Sequence, residues 1–381
     1  VRAVKAVKQN YSPSEPILVL LESFRSMVND CIRIGLKEGV TSLKALSLKA
    51  YRQLHDYDVP SRYKLCAISA ATGILRNHRK ALRRNPCARS PHAKRLMLTT
   101  CYGFKIKDGC LNLPIKPREF TNILLNSHTR EVLSGPGLTM RSVCLTARTV
   151  SVTFSKEMAE MEPVGLFGLD RNLDNATIAT SGGDVRRYDL SEATRIKAVY
   201  REVKAHFTRD DVRVRRRIFA KYGRKERNRT TQILHHTSKE IVSEAKAKRF
   251  AIVMEKLTGM RRLYRKGSGQ GRWFRARMNS WSFSELQRQL EYKARWEGIK
   301  VVYVDPRRTS STCAICGRAT TECAGRRVWC ARCRTLVDRD VNGARNILAR
   351  GMRFVPIALP GEGMKQSKDA DSMAVELARR R

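Results

Sequence analysis

CAICGRATTECAGRRVWCARCRTLVDRDVNGARNI, residues 313–347, sets two devices back to back. The first is a metal clip. Cys313-x-x-Cys316 and Cys330-x-x-Cys333 are two knuckles, each able to aim both sulfurs at one ion across a tight turn, and four such thiolates suit tetrahedral Zn²⁺. The loop from Gly317 to Trp329 has the length found in zinc ribbons and carries Arg318, Arg326 and Arg327, with Cys323 as a fifth thiol lacking a knuckle partner. Two disulfides, or four buried thiols at coincidental spacing, are the competing readings. The second device is Asp340, a carboxylate at the mouth of a helix that runs on through Ala349.

Charge narrows the partners. The 381 residues carry a net charge of +41, spread along the whole length, so the compact chain repels itself unless a polyanion neutralises it. Nucleic acid is the expected counter-ligand. An acidic membrane would want a basic amphipathic helix or an apolar span, and the one rich apolar run, Ile17 to Leu21, is short and followed by Glu22, Arg25 and Asp30. No membrane partner is expected. No signal peptide is read ahead of that run, and Cys31, Cys66, Cys87, Cys101, Cys110 and Cys144 show no paired spacing. Both point to a reducing, cytoplasmic setting.

Along the chain, Val1 to Lys8 alternates as a strand does. Ser14 then precedes a helix whose stripe is Ile17, Leu20, Leu21, Phe24, Val28, Cys31 and Gly35. Helical patterns follow over Leu43 to Leu54 and Tyr63 to Leu75. The basic run from Arg79 to Arg95, with Pro86 and Pro91, reads equally as a solvated linker or as a backbone contact to nucleic acid. From Leu96 the period falls to two, through Tyr102 to Ile106, Leu111 to Ile115 and Val143 to Phe154, as in a small β-barrel or sandwich. At Val164 the texture becomes α/β: strands over Val164 to Leu169, Ala176 to Thr180, Phe250 to Met254 and Val301 to Val304. Between them lie basic helical stretches over Ser191 to Arg227, a helix over Asn228 to Lys248, and one opened by a Ser282/Glu285 capping box.

Asp170 and Glu255 end two of those apolar strands, and Asp340 opens the helix after the clip. Phosphodiester hydrolysis needs a neutralised phosphate, an activated water and a stabilised leaving oxygen. Two Mg²⁺ about 4 Å apart supply all three, and carboxylates are the hard ligands they prefer. Singly, each acid in so basic a chain is better read as an ion-pair partner. Asp174 and Asp338 are neighbours that compete for the metal role, Asp174 read as a turn residue and Asp338 as an outer ion pair.

These residues carry a resemblance. Gly168-Leu-Asp170-Arg-Asn-Leu-Asp-Asn-Ala-Thr resembles the first RuvC motif of TnpB proteins, nucleases encoded by small prokaryotic insertion sequences, and Val253-Met-Glu255-Lys-Leu resembles their second. Asn279-Ser-Trp281-Ser-Phe283, Glu291-Tyr-Lys293-Ala and Val304-Asp-Pro306-Arg-Arg-Thr-Ser310 are similar to the segment that follows, and Asp340-Val-Asn342-Gly-Ala344-Arg-Asn346-Ile to the third motif. The likeness covers Val164 to Gly351; before that it is one of architecture only. The chain departs at Asn172, where many members have Gly, and at Gly343, where Ala is usual.

The resemblance implies an RNA-guided DNA endonuclease with an RNase H-like RuvC domain over 163–306 and 338–358, and an inserted zinc ribbon over 307–337 that binds target nucleic acid. It implies a wedge-type β domain over 1–12 and 86–162, split by a helical recognition lobe over 13–85, with a flexible tail at 359–381. Asp170, Glu255 and Asp340 would bind two Mg²⁺ and cut, and Cys313, Cys316, Cys330 and Cys333 would hold Zn²⁺. The partners would be a guide RNA and double-stranded target DNA flanked by a short motif, read by a monomer or homodimer. Candidate nucleic-acid contacts are Arg272, Trp273, Arg275, Arg277, Arg307 and Arg308. The first four belong to a glycine-rich stretch, Arg261 to Arg277, read as a lid guiding single-stranded DNA or as an inert loop, with Tyr264, Trp273 and Phe274 as stacking rings. The same motifs fit a compact type V CRISPR effector, and a guided repressor that does not cut is the reading from another class. Intact acids disfavour that repressor, and no covalent nucleophile motif supports a transposase.

Overall fold

The computed structural model describes residues 1–208, 210–260, 263–265, 267 and 269–355. The expected tail at 359–381 lies outside them. Contacts divide the chain into two units, Arg2–Glu157 and Met158 onward, the latter taking in Val1.

The first unit runs β1 (Arg2–Asn10), α1 (Glu15–Lys37), α2 (Leu43–Ala50), α3 (Ser61–Leu82), β2 (Met97–Thr100), β3 (Lys105–Lys107), β4 (Cys110–Lys116), β5 (Glu119–Leu124), α4 (Ser127–Leu133), β6 (Thr139–Thr146) and β7 (Thr149–Glu157). Every residue of the expected α1 stripe is buried. Gly35 lets α1 cross α3 closely, because a Cβ there would collide with the Leu75 side chain. The strands form two antiparallel sheets, β1-β7-β6-β2 and β3-β4-β5. Both are open: hydrogen bonding among the described residues does not close the barrel suggested by the period-two pattern. Alternation still sets the core, with Val143 opposite Val152 and Leu145 opposite Val150, all buried. The helical segment packs within the same unit as the strands.

The second unit is built on a five-stranded sheet. Its elements are β8 (Gly165–Arg171), β9 (Asn175–Thr180), β10 (Val185–Asp189), α5 (Ser191–Ala205), α6 (Ala220–Lys248), β11 (Phe250–Glu255), α7 (Arg272–Ser280), α8 (Phe283–Trp296), β12 (Val301–Val304), β13 (Thr321–Cys323), β14 (Arg327–Cys330), β15 (Thr335–Asp338) and α9 (Arg339–Met352). The strand order is β10-β9-β8-β11-β12, antiparallel at β8/β9/β10 and parallel at β8/β11/β12. Both faces are covered, which is why β8 and β11 read as continuous apolar runs rather than alternating ones. Phe167, Leu169, Ile252 and Met254 pack with Leu234 and Ile241 of α6 and with Leu286 and Leu290 of α8. Leu166 and Val253 pack on the opposite face with Ala344, Ile347 and Leu348 of α9.

Helix bounds differ from expectation where the stripe is weak. The basic stretch after Ser191 is α5, then a π-helical turn at Val214–Phe219, then α6 from Ala220, eight residues ahead of the expected Asn228. The extra turns bury no side chain fully and are held by Lys204 to Glu226 at 2.7 Å and by Tyr222 against Tyr200 and Phe207. The capping box does not form. Ser282 precedes α8 as expected, but its Oγ accepts from Lys197 Nζ, and Glu285 accepts from Arg288 and Gln289 instead. Among the described residues no helix is long and apolar enough to cross a membrane.

Candidate active site

Period two decides where the strand-end acids point. On β8, Leu166 faces α9 and Phe167 and Leu169 face the other way. On β11, Val253 faces α9 and Met254 does not. Asp170 and Glu255 are next in each alternation, so both carboxylates emerge on the α9 side. Leu169 lies opposite Met254 in the parallel register, which makes the two acids neighbours at the carboxyl ends of adjacent strands. Open α/β sheets bind ligands at those ends. Asp340 comes to the same place from the first turn of α9.

Glycines bring α9 close. A Cβ on Gly168 would strike the Ala344 carbonyl oxygen and lie 2.6 Å from Leu348 Cβ, and one on Gly343 would lie 2.8 Å from Asp170 Oδ2. Gly168→Ala must therefore push the helix off the strand. Expected is a loss of about 1–3 kcal/mol, the usual cost of overpacking, read as a lower midpoint in urea denaturation.

All three acids are buried: 7% of Asp170, 7% of Glu255 and 2% of Asp340 is exposed. Each has partners. Asn172 Nδ2 donates to Asp170 Oδ2 at 3.1 Å, Thr309 Oγ1 donates to Glu255 Oε1, and Asn175 Nδ2 donates to Asp340 Oδ2 at 3.0 Å. Arg326, in the β13–β14 loop, reaches Asp340 Oδ1 at 2.5 Å and Asn172 Oδ1 at 3.3 Å. Arg171 is 2% exposed and points beneath the site, donating to the Glu255 carbonyl at 2.5 Å, Gln287 Oε1 at 2.9 Å and the Phe283 carbonyl at 3.3 Å. Asp338 does more than form an outer ion pair. It binds Arg187 at 2.8 Å and caps α9, accepting from the N–H of Asp340 and Val341. Asp174 pairs with Arg277 at 3.3 Å, and its carbonyl accepts from Leu190 N–H.

The electrostatics are those of like charges under apolar cover. Burial, then repulsion from Glu255 and Asp340, pushes the Asp170 carboxyl from 3.8 up to about 7, although Asn172 and Arg326 oppose this. Burial raises Glu255 too, against Thr309 and Arg171. In the metal-free chain the folded Asp170 thus keeps its proton between 3.8 and about 7, where the unfolded chain has lost it. Stability from this group is full at acid pH and falls as the pH rises through that window. A bound divalent cation would reverse the loss, so the melting-temperature gain on adding Mg²⁺ is expected to be larger at pH 8 than at pH 5.

The donor set suits hard cations: three carboxylates, with the amides of Asn172 and Asn175 beside them. The carboxylates are not drawn as tightly together as the cysteines, whose four sulfurs lie within 4.8 Å of one another. One ion would demand such closeness; a pair of ions sharing one carboxylate does not. The Cys316–Cys330 and Cys313–Cys333 sulfurs stand 3.5 and 3.9 Å apart, as unbonded thiols. Four sulfurs fit Zn²⁺. The small sheet β13-β14-β15 presents Cys330, and Asn342 and Asn346 of α9 clamp the loop before the clip, with Asn342 Nδ2 on the Thr312 carbonyl at 2.7 Å and Asn346 Nδ2 on the Thr309 carbonyl at 2.8 Å. Clip, Thr309 and Glu255 are thereby tied to one helix.

The candidate nucleic-acid contacts fall in two groups, on one helix and in one loop. Arg272, Trp273, Arg275 and Arg277 lie on α7, a helix where a lid was expected; Arg261, Arg262, Lys266 and Ser268 of that stretch lie outside the described residues. Trp273 and Phe274 are exposed, whereas Tyr264 is buried and cannot stack on a base. Arg277 is drawn to Asp174, and Arg275 donates to the Gln270 carbonyl. Arg307 and Arg308 are exposed in the loop after β12.

Comparison with known proteins agrees with this architecture. The family model Cas12f1-like, TNB domain, matches residues 283–347. The TnpB-like protein MJ0751 of Methanocaldococcus jannaschii is 26% identical over 281 residues, 69% of this chain and 99% of that protein. A second TnpB-like protein of that organism, MJ1635, is 24% identical over 94% of this chain and 86% of its own length. The CRISPR-associated endodeoxyribonuclease Cas12f1 of Sulfoacidibacillus thermotolerans is 36% identical over 75 residues, 18% of this chain and 17% of that protein. Among solved structures, the Cas12f1-sgRNA-target DNA complex matches with a TM-score of 0.62 at 13% identity, covering 88% of this chain and 82% of that one. The fold is that of a compact type V effector, and the chain is similar over most of its length to TnpB-like proteins.

Proposed function

We propose that the chain is an RNA-guided DNA endonuclease of a transposable element, cutting with one RuvC-like centre built from Asp170, Glu255 and Asp340. The observation that carries the reading is the burial of three acids on the α9 face of β8 and β11, with the Asp170 proton held up to about 7. A buried acid so disfavoured as an anion awaits a cation. Two Mg²⁺ held there would supply an activated water and neutralise the scissile phosphate and its leaving oxygen.

The chain's own groups set the geometry. Asp170, at the end of the central strand, would hold the ions together with Glu255 and Asp340. Asn172 orients its Oδ2, Thr309 orients Glu255, and Asn175 orients Asp340. Arg171 holds the Glu255 backbone from below, keeping the two strand ends in register. Arg326 pairs with Asp340 Oδ1 and would have to release it for that oxygen to hold a metal.

On this reading the RuvC-like domain takes 163–306 and 338–358, and the clip forms a zinc ribbon at 307–337 that binds target nucleic acid. The wedge-like strands and helical lobe of the first unit read the guide and the motif beside the target. The relative named an endodeoxyribonuclease, and the matched complex holding sgRNA and target DNA, support guide and target as partners. Base pairing would read sequence while the protein supplies charge and cutting. The test is to purify the protein from its host, sequence the RNA that accompanies it and add a matching duplex with Mg²⁺. A uniform RNA and a discrete cut are expected. Random RNA fragments with no cut at any matched site would refute the proposal.

A further inference from the structure

Beside the acids lies a cleft of about 330 Å³, at the small end of the range of about 300–1,000 Å³ for ligand sites. Its apolar wall is Leu173, Phe274 and Trp281, and its cationic rim is Arg277, Arg326 and Arg339. The cleft adjoins the active site through two shared residues. Asn172 lines it while holding Asp170, and Arg326 lines it while holding Asp340. Phe274 is 47% exposed, an aromatic ring left facing solvent amid cations.

Resting on the endonuclease reading, we infer that this cleft is a base-binding subsite for single-stranded DNA, taking the nucleotide that flanks the scissile phosphate. A base in a duplex offers only its edges; an unpaired one offers a face that an aromatic ring can cover, whatever its identity. Phe274 supplies that ring, and Trp281 with Leu173 backs it. Arg277 and Arg339 meet the adjoining phosphates. Both are engaged in exposed pairs, with Asp174 and Glu322, of the kind that contribute little and exchange readily for another anion. The subsite makes the centre selective for unwound DNA, because a stacked, paired base cannot turn its face to Phe274.

The test uses full-length protein with its co-purified RNA and single-stranded DNA carrying 2-aminopurine at successive positions. Wild type and Asp170→Asn are expected to quench one position strongly, and Phe274→Tyr to retain the quench. Phe274→Ala and Phe274→Leu should lose it and bind about tenfold more weakly, as the loss of one stacked base implies. Quenching unchanged in Phe274→Ala, or preserved by leucine, would overturn the subsite, the second outcome showing a packing role instead. Wild-type protein that quenches but never cuts in Mg²⁺ would support the subsite while refuting the endonuclease.

Discussion

Asp170→Ala is expected to lower guide-directed cleavage by about 10³-fold or more, ~4 kcal/mol of barrier at roughly 1.36 kcal/mol per tenfold. The carboxylate sits at the end of the central strand, next to Glu255 in the parallel register and under α9. Neither neighbouring acid takes its place, because Asp338 is committed to capping α9 and Asp174 lies in the bend beyond the end of β8. A second readout separates chemistry from folding. Asp170 is held protonated by burial and by its acidic neighbours, so removing it relieves the metal-free fold at neutral pH. Expected is an unchanged or higher melting temperature at pH 8 without Mg²⁺, together with lost cutting and retained RNA. Wild-type cutting by this variant would remove Asp170 from the centre. Lost cutting with a collapsed fold would make it structural.

The second large effect follows from removing the clip. The β13-β14-β15 sheet has strands of three, four and four residues, and its buried apolar cover is little more than Val328, Cys313 and Cys330. So small a layer does not fold on apolar burial alone. Structural Zn²⁺ contributes on the order of 10 kcal/mol to such segments. Cys330→Ser, or prolonged treatment with a strong chelator, is expected to take bound zinc from about one ion per chain to none and to unfold 313–338 locally. Arg326 would leave Asp340, and the loop clamped by Asn342 and Asn346 would loosen around Thr309. Hydrogen exchange should accelerate in the clip and the first turn of α9 while β8 and β11 stay protected. Purified protein without zinc, with all four thiols reacting as freely as Cys87 or Cys101, would contradict this.

The acids were legible because their signal is local: an apolar run ending in a carboxylate, twice, and a helix start after a clip. The α1 stripe was legible for the same reason, since each of its residues repeats the helical period. Partners drawn from afar were not. Arg171 reads as the first polar residue after a strand, yet it is among the most buried side chains, bonded across more than 80 residues to Glu255. Thr309 stood within a motif of the resemblance, but nothing in the sequence showed that it would meet Glu255. Asn342 and Asn346 had one, being four apart and therefore on one helix face, but it took the fold to show that this face meets the loop before Cys313. Asn172 appears in the sequence as a departure from the family pattern; in the fold its amide bridges Asp170 and Arg326. The capping box failed because Lys197, distant in sequence, competes for Ser282. The helix α4 (Ser127–Leu133) is too short to show a stripe, although Asn126 caps it through Thr129 N–H at 2.8 Å.

The most direct test is anomalous diffraction from crystals of the protein with its RNA soaked in Mn²⁺. Two peaks about 4 Å apart, both touching Asp170 and shared out between Glu255 and Asp340, with Arg326 swung off Asp340, are the expected result. Absence of any peak at the three acids in crystals that retain cutting activity would contradict it.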